Sequence, residues 1–368
     1  MPYVSEASKQ YVLEALDSNH QQGDGPFTSK ASKMVSDLVG GGHVLLTPSC
    51  THALEMASML ANIGPGDEVI LPSYTFTSAA TAVTKFGATP VFVDIELETK
   101  GIDVNQVREA ITSKTKAISW VNYAGVAPDI EGLQSLAKEF DLLLIEDNAH
   151  GLGGAYKGKP LGSFGDFSTQ SFHATKNIQC GEGGALIINN LNFVERAEII
   201  REKGTNRSRF TRGEVQKYEW VDQGSSYLLA EPLAAILTGQ LMGFVGIQKR
   251  RRSVWNLFFE YFKQEKDCTD NFNVTINSEA QHASHMFYLD ATSNEIRENT
   301  RSKLRTLGIE TVSHYQPLSN SPAGKLFGVS NFEMRATKSF SETILRLPLH
   351  NFMDNEKVDK VIKAFLKI

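Results

Sequence analysis

Lys176 and Asp147 set the chemistry available to this chain. Lys176 lies in the run Phe167-Ser168-Thr169-Gln170-Ser171-Phe172-His173-Ala174-Thr175-Lys176-Asn177, and Asp147 lies upstream in Leu142-Leu143-Leu144-Ile145-Glu146-Asp147-Asn148-Ala149-His150. Each follows a strand-like run. A primary amine there can form a Schiff base with an aldehyde, and a carboxylate near it can pair with a protonated ring nitrogen, which is what pyridoxal phosphate chemistry requires. A carboxylate at the end of so apolar a run is costly to bury without a cation or several donors. Helix capping is the competing role for Asp147 on the residues alone.

Further candidates stand after other strand-like runs. Ser49-Cys50-Thr51-His52 opens a helical stretch, where free amides and small hydroxyls favour a phosphate; simple N-capping by Ser49 or Thr51 is the alternative. Pro72-Ser73-Tyr74-Thr75-Phe76-Thr77 brings aromatic rings to the same place, and Phe76 can either stack on a flat heterocycle or fill the core. His150 can exchange a hydrogen bond with a cofactor oxygen or simply satisfy a local partner. Gly153-Gly154-Ala155-Tyr156-Lys157-Gly158-Lys159-Pro160 fails as a phosphate loop because Pro160 replaces the hydroxyl residue, and it reads as a surface turn. No GxSxG elbow supports a hydrolase.

The elements that position these residues alternate in period. Strands are expected at 43–47, 68–71, 89–93, 117–121, 142–146, 169–172 and 184–188, with helices at 53–62, 78–86, 104–112 and 130–140 between them. That alternation predicts an α/β fold with a mostly parallel sheet, whose ligands bind beyond the C-terminal strand ends. Past residue 245 the pattern changes to a long helix over Trp255–Lys263 and short strand-like pieces. We therefore expect a large unit at 1–245 and a small α+β unit at 246–368, with the option that the first ~20 residues pack on the small one. The Lys249-Arg250-Arg251-Arg252 run reads as a solvated helix face.

Bulk properties narrow the class. The 368 residues are 41% hydrophobic and 21% charged, as in globular proteins, and the net charge of −5 argues against nucleic acid or an anionic membrane as partner. Cys50, Cys180 and Cys268 are too few and scattered for a disulfide framework or a metal site, so no metal is expected. The N-terminal segment lacks a signal-peptide pattern and no run of 18 apolar residues occurs, so a cytoplasmic location is expected.

The motifs together resemble the DegT/DnrJ/EryC1/StrS family of sugar aminotransferases. The resemblance rests on Ser49-Cys50-Thr51, Gly64-Pro65-Gly66-Asp67, Pro72-Ser73-Tyr74-Thr75-Phe76, Glu146-Asp147-Asn148-Ala149-His150, Ser171-Phe172-His173-Ala174-Thr175-Lys176 and Gly181-Glu182-Gly183-Gly184. It implies the fold-type I architecture of aspartate aminotransferase and pyridoxal 5′-phosphate as cofactor. It further implies Lys176 as the Schiff-base lysine, Asp147 on the pyridine nitrogen, Phe76 on the ring, His150 near the phenolic oxygen, and Ser49, Cys50, Thr51 and Ser171 around the phosphate. Lys176 sets the chain apart from the 3-dehydratase branch, which carries His there.

Two departures stand out: His150 replaces the common Gln, and Ser226-Tyr227-Leu228 replaces an Asn-Tyr-Arg that gives the neighbouring subunit's phosphate contact, leaving Ser226 as the matching position. Arg201–Ser208, Gly224–Leu228, His314-Tyr315-Gln316-Pro317-Leu318 and Leu345-Arg346-Leu347-Pro348-Leu349 resemble the branch that aminates a dTDP-4-keto-6-deoxyhexose to dTDP-4-amino-4,6-dideoxygalactose for enterobacterial common antigen. The resemblance implies L-glutamate as donor, 2-oxoglutarate as product and a homodimer with shared active sites. Tyr123, Asn206, Arg207, His314 and Tyr315 are the matching substrate positions. Amination to the gluco epimer, amination at C3, and a non-catalytic sugar-nucleotide binder are the alternatives.

Overall fold

A computed structural model describes residues 3–264, 270–274 and 281–368; Cys268 lies outside them. The large unit is built on seven strands: β1 (His43–Thr47), β2 (Glu68–Pro72), β3 (Thr89–Val93), β4 (Thr115–Val121), β5 (Leu143–Asp147), β6 (Phe167–Ser171) and β7 (Gly184–Ile188). They lie in the order β1-β7-β6-β5-β4-β2-β3, and only β7 runs against its neighbours. The expected strands are therefore all present, with ends shifted by one or two residues.

Helices cover both faces of this sheet, which is why its strands are buried on both sides. Before the first strand come α1 (Glu6–Asp17) and α2 (Pro26–Val39). Then follow α3 (Cys50–Leu60), α4 (Thr77–Thr84), α5 (Val104–Ala110), α6 (Ile130–Phe140), α7 (Val194–Arg201), α8 (Arg207–Thr211) and α9 (Glu231–Met242). Alternate strand residues separate the two cores: Leu45, Val69, Leu71, Ile145, Phe167 and Leu186 pack with α3 and α4. Their neighbours face the other way, Val44, Leu46 and Ile187 under α2 and α9, and Ile70, Ile118 and Leu144 under α5 and α6.

The long helix α10 (Phe244–Gln264) leads from the large sheet into the small one. The small unit's antiparallel sheet has the order β8 (Phe272–Asn273), β9 (Phe287–Ala291), β10 (Ile344–Leu347), with Phe287 opposite Leu347 and Tyr288 opposite Arg346. Trp255, Phe258, Phe262, Phe287, Leu345 and Phe365 form its separate core.

Two expectations need correction. The Lys249–Arg252 run is not a wholly solvated face: Arg251 is buried, donating to the Ser284 and His285 carbonyls and to Asn351 Oδ1, and Arg252 donates to the His282 carbonyl. One helix face turns inward every third or fourth residue, and Arg251 falls on the same stripe as Ile247, Val254 and Trp255. The N-terminal segment packs mainly on the large unit, where Ser8 Oγ donates to the Ile236 carbonyl of α9 at 2.9 Å. Gly239 permits that approach, since a Cβ there would sit 2.4 Å from Ser8 N. Tyr3 reaches the small unit, its ring 5.6 Å from that of Phe352. The Gly153–Pro160 segment is the expected turn, a hairpin pairing Ala155–Tyr156 with Lys159–Pro160.

Candidate active site

Six strands point their C-terminal ends at one edge, and β7, which runs the other way, starts there. That edge collects Ser49 after β1, Phe76 after β2, Asp147 at the end of β5, Ser171 at the end of β6 and Lys176 in the following loop. The small unit closes the other side with His285, His314, Tyr315 and Arg346, enclosing a cavity of about 690 Å³.

One wall is the N-terminus of α3. Ser49 caps it, Oγ accepting from His52 N at 3.2 Å. The amides of Cys50 and Thr51 have no hydrogen-bond partner among the described residues, so they stand ready for an anion. Thr51 Oγ1 lies 2.7 Å from Ser78 Oγ, and Ser171 Oγ accepts from His173 N at 3.4 Å. The Cys50 thiol is pushed far up by burial and stays neutral.

On the floor, Asp147 is buried, and its carboxylate has one hydrogen bond among the described residues, from Ala149 N at 3.0 Å. Burial raises its pKa; the Ala149 amide and the Lys176 charge pull the other way, so the anion still wants a cation. Its neighbour Glu146 shows the contrast. That carboxylate, fully buried, accepts from Gly162 N, Phe164 N, Ser168 Oγ and Asn122 Nδ2 at 2.7–2.9 Å and is a structural anchor. Lys176 is brought down to about 8, chiefly by burial.

Above Asp147 stand three imidazoles. His150 stacks on His285 with centroids 4.3 Å apart and on His314 at 6.0 Å. Burial, then the Lys176 charge, holds His150 and His285 well below the ordinary histidine pKa, so both are neutral. His150 Nδ1 is buried without a partner, and its Nε2 lies 3.5 Å from Tyr315 OH. Tyr315 holds a left-handed φ of 26°, a strain that the packing around it sustains. Tyr123 sits behind this wall, its hydroxyl 3.0 Å from His314 Nδ1. Phe76 stays half open at 55% exposure, 6.0 Å from the Tyr315 ring, presenting a free face to the cavity.

Three expected positions lie elsewhere in this chain. Asn206 bonds Lys217 O and Glu219 N, tying the 206–219 loop, and Arg207 pairs with Glu202 at 2.7 Å. Ser226 is exposed, bridging to Glu202 through the backbone. The sequence reading assigned no role to Arg346 or His285. Among the described residues Arg346 has no carboxylate within ion-pair distance, and its buried Nε lacks a partner. Its one sequence signal is an arginine inside the apolar strand Ile344–Leu347. His285 lay in a segment without periodicity.

Residues 2–366 match the DegT/DnrJ/EryC1/StrS aminotransferase family. The chain belongs to that family. The aminotransferase is 31% identical over 373 residues to the spore coat polysaccharide biosynthesis protein SpsC of Bacillus subtilis, covering 99% of this chain and 95% of that one. Among solved structures it resembles Helicobacter pylori PseC, an aminotransferase involved in pseudoaminic acid biosynthesis, with TM-score 0.89 at 25% identity over 100% and 97% of the two chains. It also resembles a Streptococcus pneumoniae chain solved in a PLP form, with TM-score 0.88 at 28% identity over 99% and 96%. The fold is fold-type I and the cofactor is pyridoxal 5′-phosphate. The residues here fit it: free amides for the phosphate, an under-satisfied Asp147 for the ring nitrogen, and a lysine whose amine is partly neutral near pH 7.

Among the described residues, no helix is long and apolar enough to cross a membrane.

Proposed function

We propose that this aminotransferase moves an amino group from L-glutamate to C4 of a dTDP-4-keto-6-deoxyhexose, giving dTDP-4-amino-4,6-dideoxygalactose, and works as a homodimer. The observation that carries the amino-acid half is Arg346, an unpaired guanidinium in the same cavity as Lys176. A half-buried cation without an anion gains by taking a carboxylate, and the reacting carbon of an amino acid bears one, whereas the reacting carbon of a keto-sugar does not. Support for a sugar as acceptor comes from the polysaccharide and pseudoaminic acid roles of the relatives. The galacto product rests on the likeness of the Gly204–Ser208 loop.

When bound, pyridoxal phosphate supplies the aldehyde that holds the amino group between substrates and the ring that withdraws electrons. The chain's own residues do the rest. The Cys50 and Thr51 amides and Ser171 would hold its phosphate, Asp147 would pair with its ring nitrogen, and Phe76 would offer it an aromatic face. Lys176 Nζ takes the proton from the donor's α-carbon, a role that its pKa of about 8 suits. Neutral His150 can bond the phenolic oxygen without adding charge.

Incubation with L-glutamate and dTDP-4-keto-6-deoxyglucose, followed by NMR of the amino-sugar, tests the assignment. An axial C4 amine supports it; an equatorial amine selects the gluco epimer, and no amino-sugar refutes it. Arg346→Leu should raise the KM for L-glutamate at least ~30-fold, since truncating one partner of a buried charge pair costs about 2–5 kcal/mol.

A further inference from the structure

Asn177, directly after Lys176, is clamped by the small unit. Its Nδ2 donates to Gln248 Oε1 and to the Ala283 carbonyl, both at 3.0 Å, and its own carbonyl accepts from Asn351 Nδ2 at 3.0 Å. Both amide hydrogens are spent, so Oδ1 is an acceptor. It faces His285 Nδ1 at 3.0 Å, and the proton between them therefore belongs to the imidazole. Arg251 fixes the other end of the residue by donating to the His285 carbonyl at 2.5 Å.

His285 is buried and neutral: burial first, then the surrounding Lys176, Arg251 and Arg346 charges and His314, oppose its protonation. A neutral ring with its proton on Nδ1 carries a lone pair on Nε2. That atom makes no hydrogen bond among the described residues, and the ring lines the cavity.

We propose that His285 distinguishes the two substrates of this cavity, its Nε2 accepting a hydrogen bond from a hydroxyl of the keto-sugar, with Asn177 as the positioning residue that fixes its tautomer. The proposal rests on the sugar aminotransferase reading above. An amino-acid donor whose amine is engaged offers this wall carboxylate oxygens, which only accept; a hexose offers O–H donors beside its carbonyl. A lone pair on the cavity wall facing another lone pair is unfavourable, so the wall favours the sugar and disfavours the donor.

Two measurements test it. Nitrogen-15 NMR of the histidines in cofactor-free protein should show one neutral ring protonated at Nδ1 that disappears in His285→Phe and becomes a tautomer mixture in Asn177→Leu. A ring protonated at Nε2 overturns the proposal. In the holoenzyme, the donor half-reaction and the sugar half-reaction are followed separately by cofactor absorbance. His285→Phe should weaken the sugar step roughly 3- to 10-fold more than the donor step, the worth of one neutral hydrogen bond. Asn177→Asp puts a carboxylate on Nδ1, so as pH drops through neutrality its sugar step should fall more steeply than that of the wild type, whose own profile carries only the Lys176 titration. Equal effects on both half-reactions, or a pH profile in Asn177→Asp that matches the wild type, overturn the role. A wild type that L-glutamate does not convert refutes the parent reading instead, and the NMR result stands apart from it.

Discussion

Competitive labelling of the cofactor-free protein with a small acylating reagent reads the Lys176 amine directly. Burial brings its pKa down to about 8, with Cys50 and Asp147 working upward and Arg346 working downward. At pH 7 such an amine is roughly one-tenth neutral, against about 1 in 2,500 for an ordinary lysine, a gain of about 200-fold in reactive form. The cavity of about 690 Å³ admits the reagent. Labelling of Lys176, followed by mass spectrometry across pH 6 to 11, should therefore plateau more than two pH units earlier than the exposed lysines. The charges give a signed check. Asp147→Asn removes the anion and should move the midpoint down, while Arg346→Leu removes the cation and should move it up. The shape of the pH profile, not the absolute rate, carries the test, so altered access does not mimic it. A midpoint near 10.4, or two variants that shift in the same direction, would refute this account of the site.

Other outcomes follow from the same structure. Lys100 is buried, pairs with Asp290 at 3.2 Å and lies over the Phe340 ring, joining the large and small units. Lys100→Met should cost about 1–2 kcal/mol in urea unfolding, and Lys100→Met/Asp290→Leu should recover part of it, because the half-buried Asp290 loses its cation but keeps the Thr343 hydroxyl. Burial lowers the Lys100 pKa, so the unfolded chain holds this proton to higher pH and the Lys100 contribution to stability rises with pH up to the ordinary lysine value. Gly184→Ala would set a Cβ 2.4 Å from Cys50 N, and cofactor affinity measured by titration should drop about tenfold or more while the protein still folds. His150, His285 and His314 all have lowered pKa values, chiefly through burial, so below about pH 6.5 the unfolded chain gains protons first and stability falls as pH drops. Denaturation midpoints at pH 7.5 and 5.5 check this, and His150→Gln should flatten the difference.

Much of the fold was legible because its signals are local. Short β-favouring runs of four or five residues, broken by amphipathic stretches, mark strands buried on both faces, and all seven appear within two residues of their expected ends. Chemistry was legible for the same reason: Asp147 and Lys176 stand just beyond such runs, and Ser49 stands at the start of α3. The N-cap and phosphate readings of Ser49–Thr51 prove compatible, since the cap spends Ser49 Oγ and leaves two amides free.

What the sequence determined by itself is therefore the sheet, the edge where ligands bind and the lysine and carboxylate that act there. Tertiary structure alone decided the opposite wall. Arg251, inside a basic run, is buried because its helix stripe faces inward. Arg346 and His285 sit in segments far from Lys176 in sequence, and only the packing of β9 and β10 against the large sheet turns them toward it. The physical reason is that a residue's neighbours along the chain predict whether it is buried. Whether a buried charge meets a partner or is left facing a cavity depends on groups that the chain brings together only when the two units close.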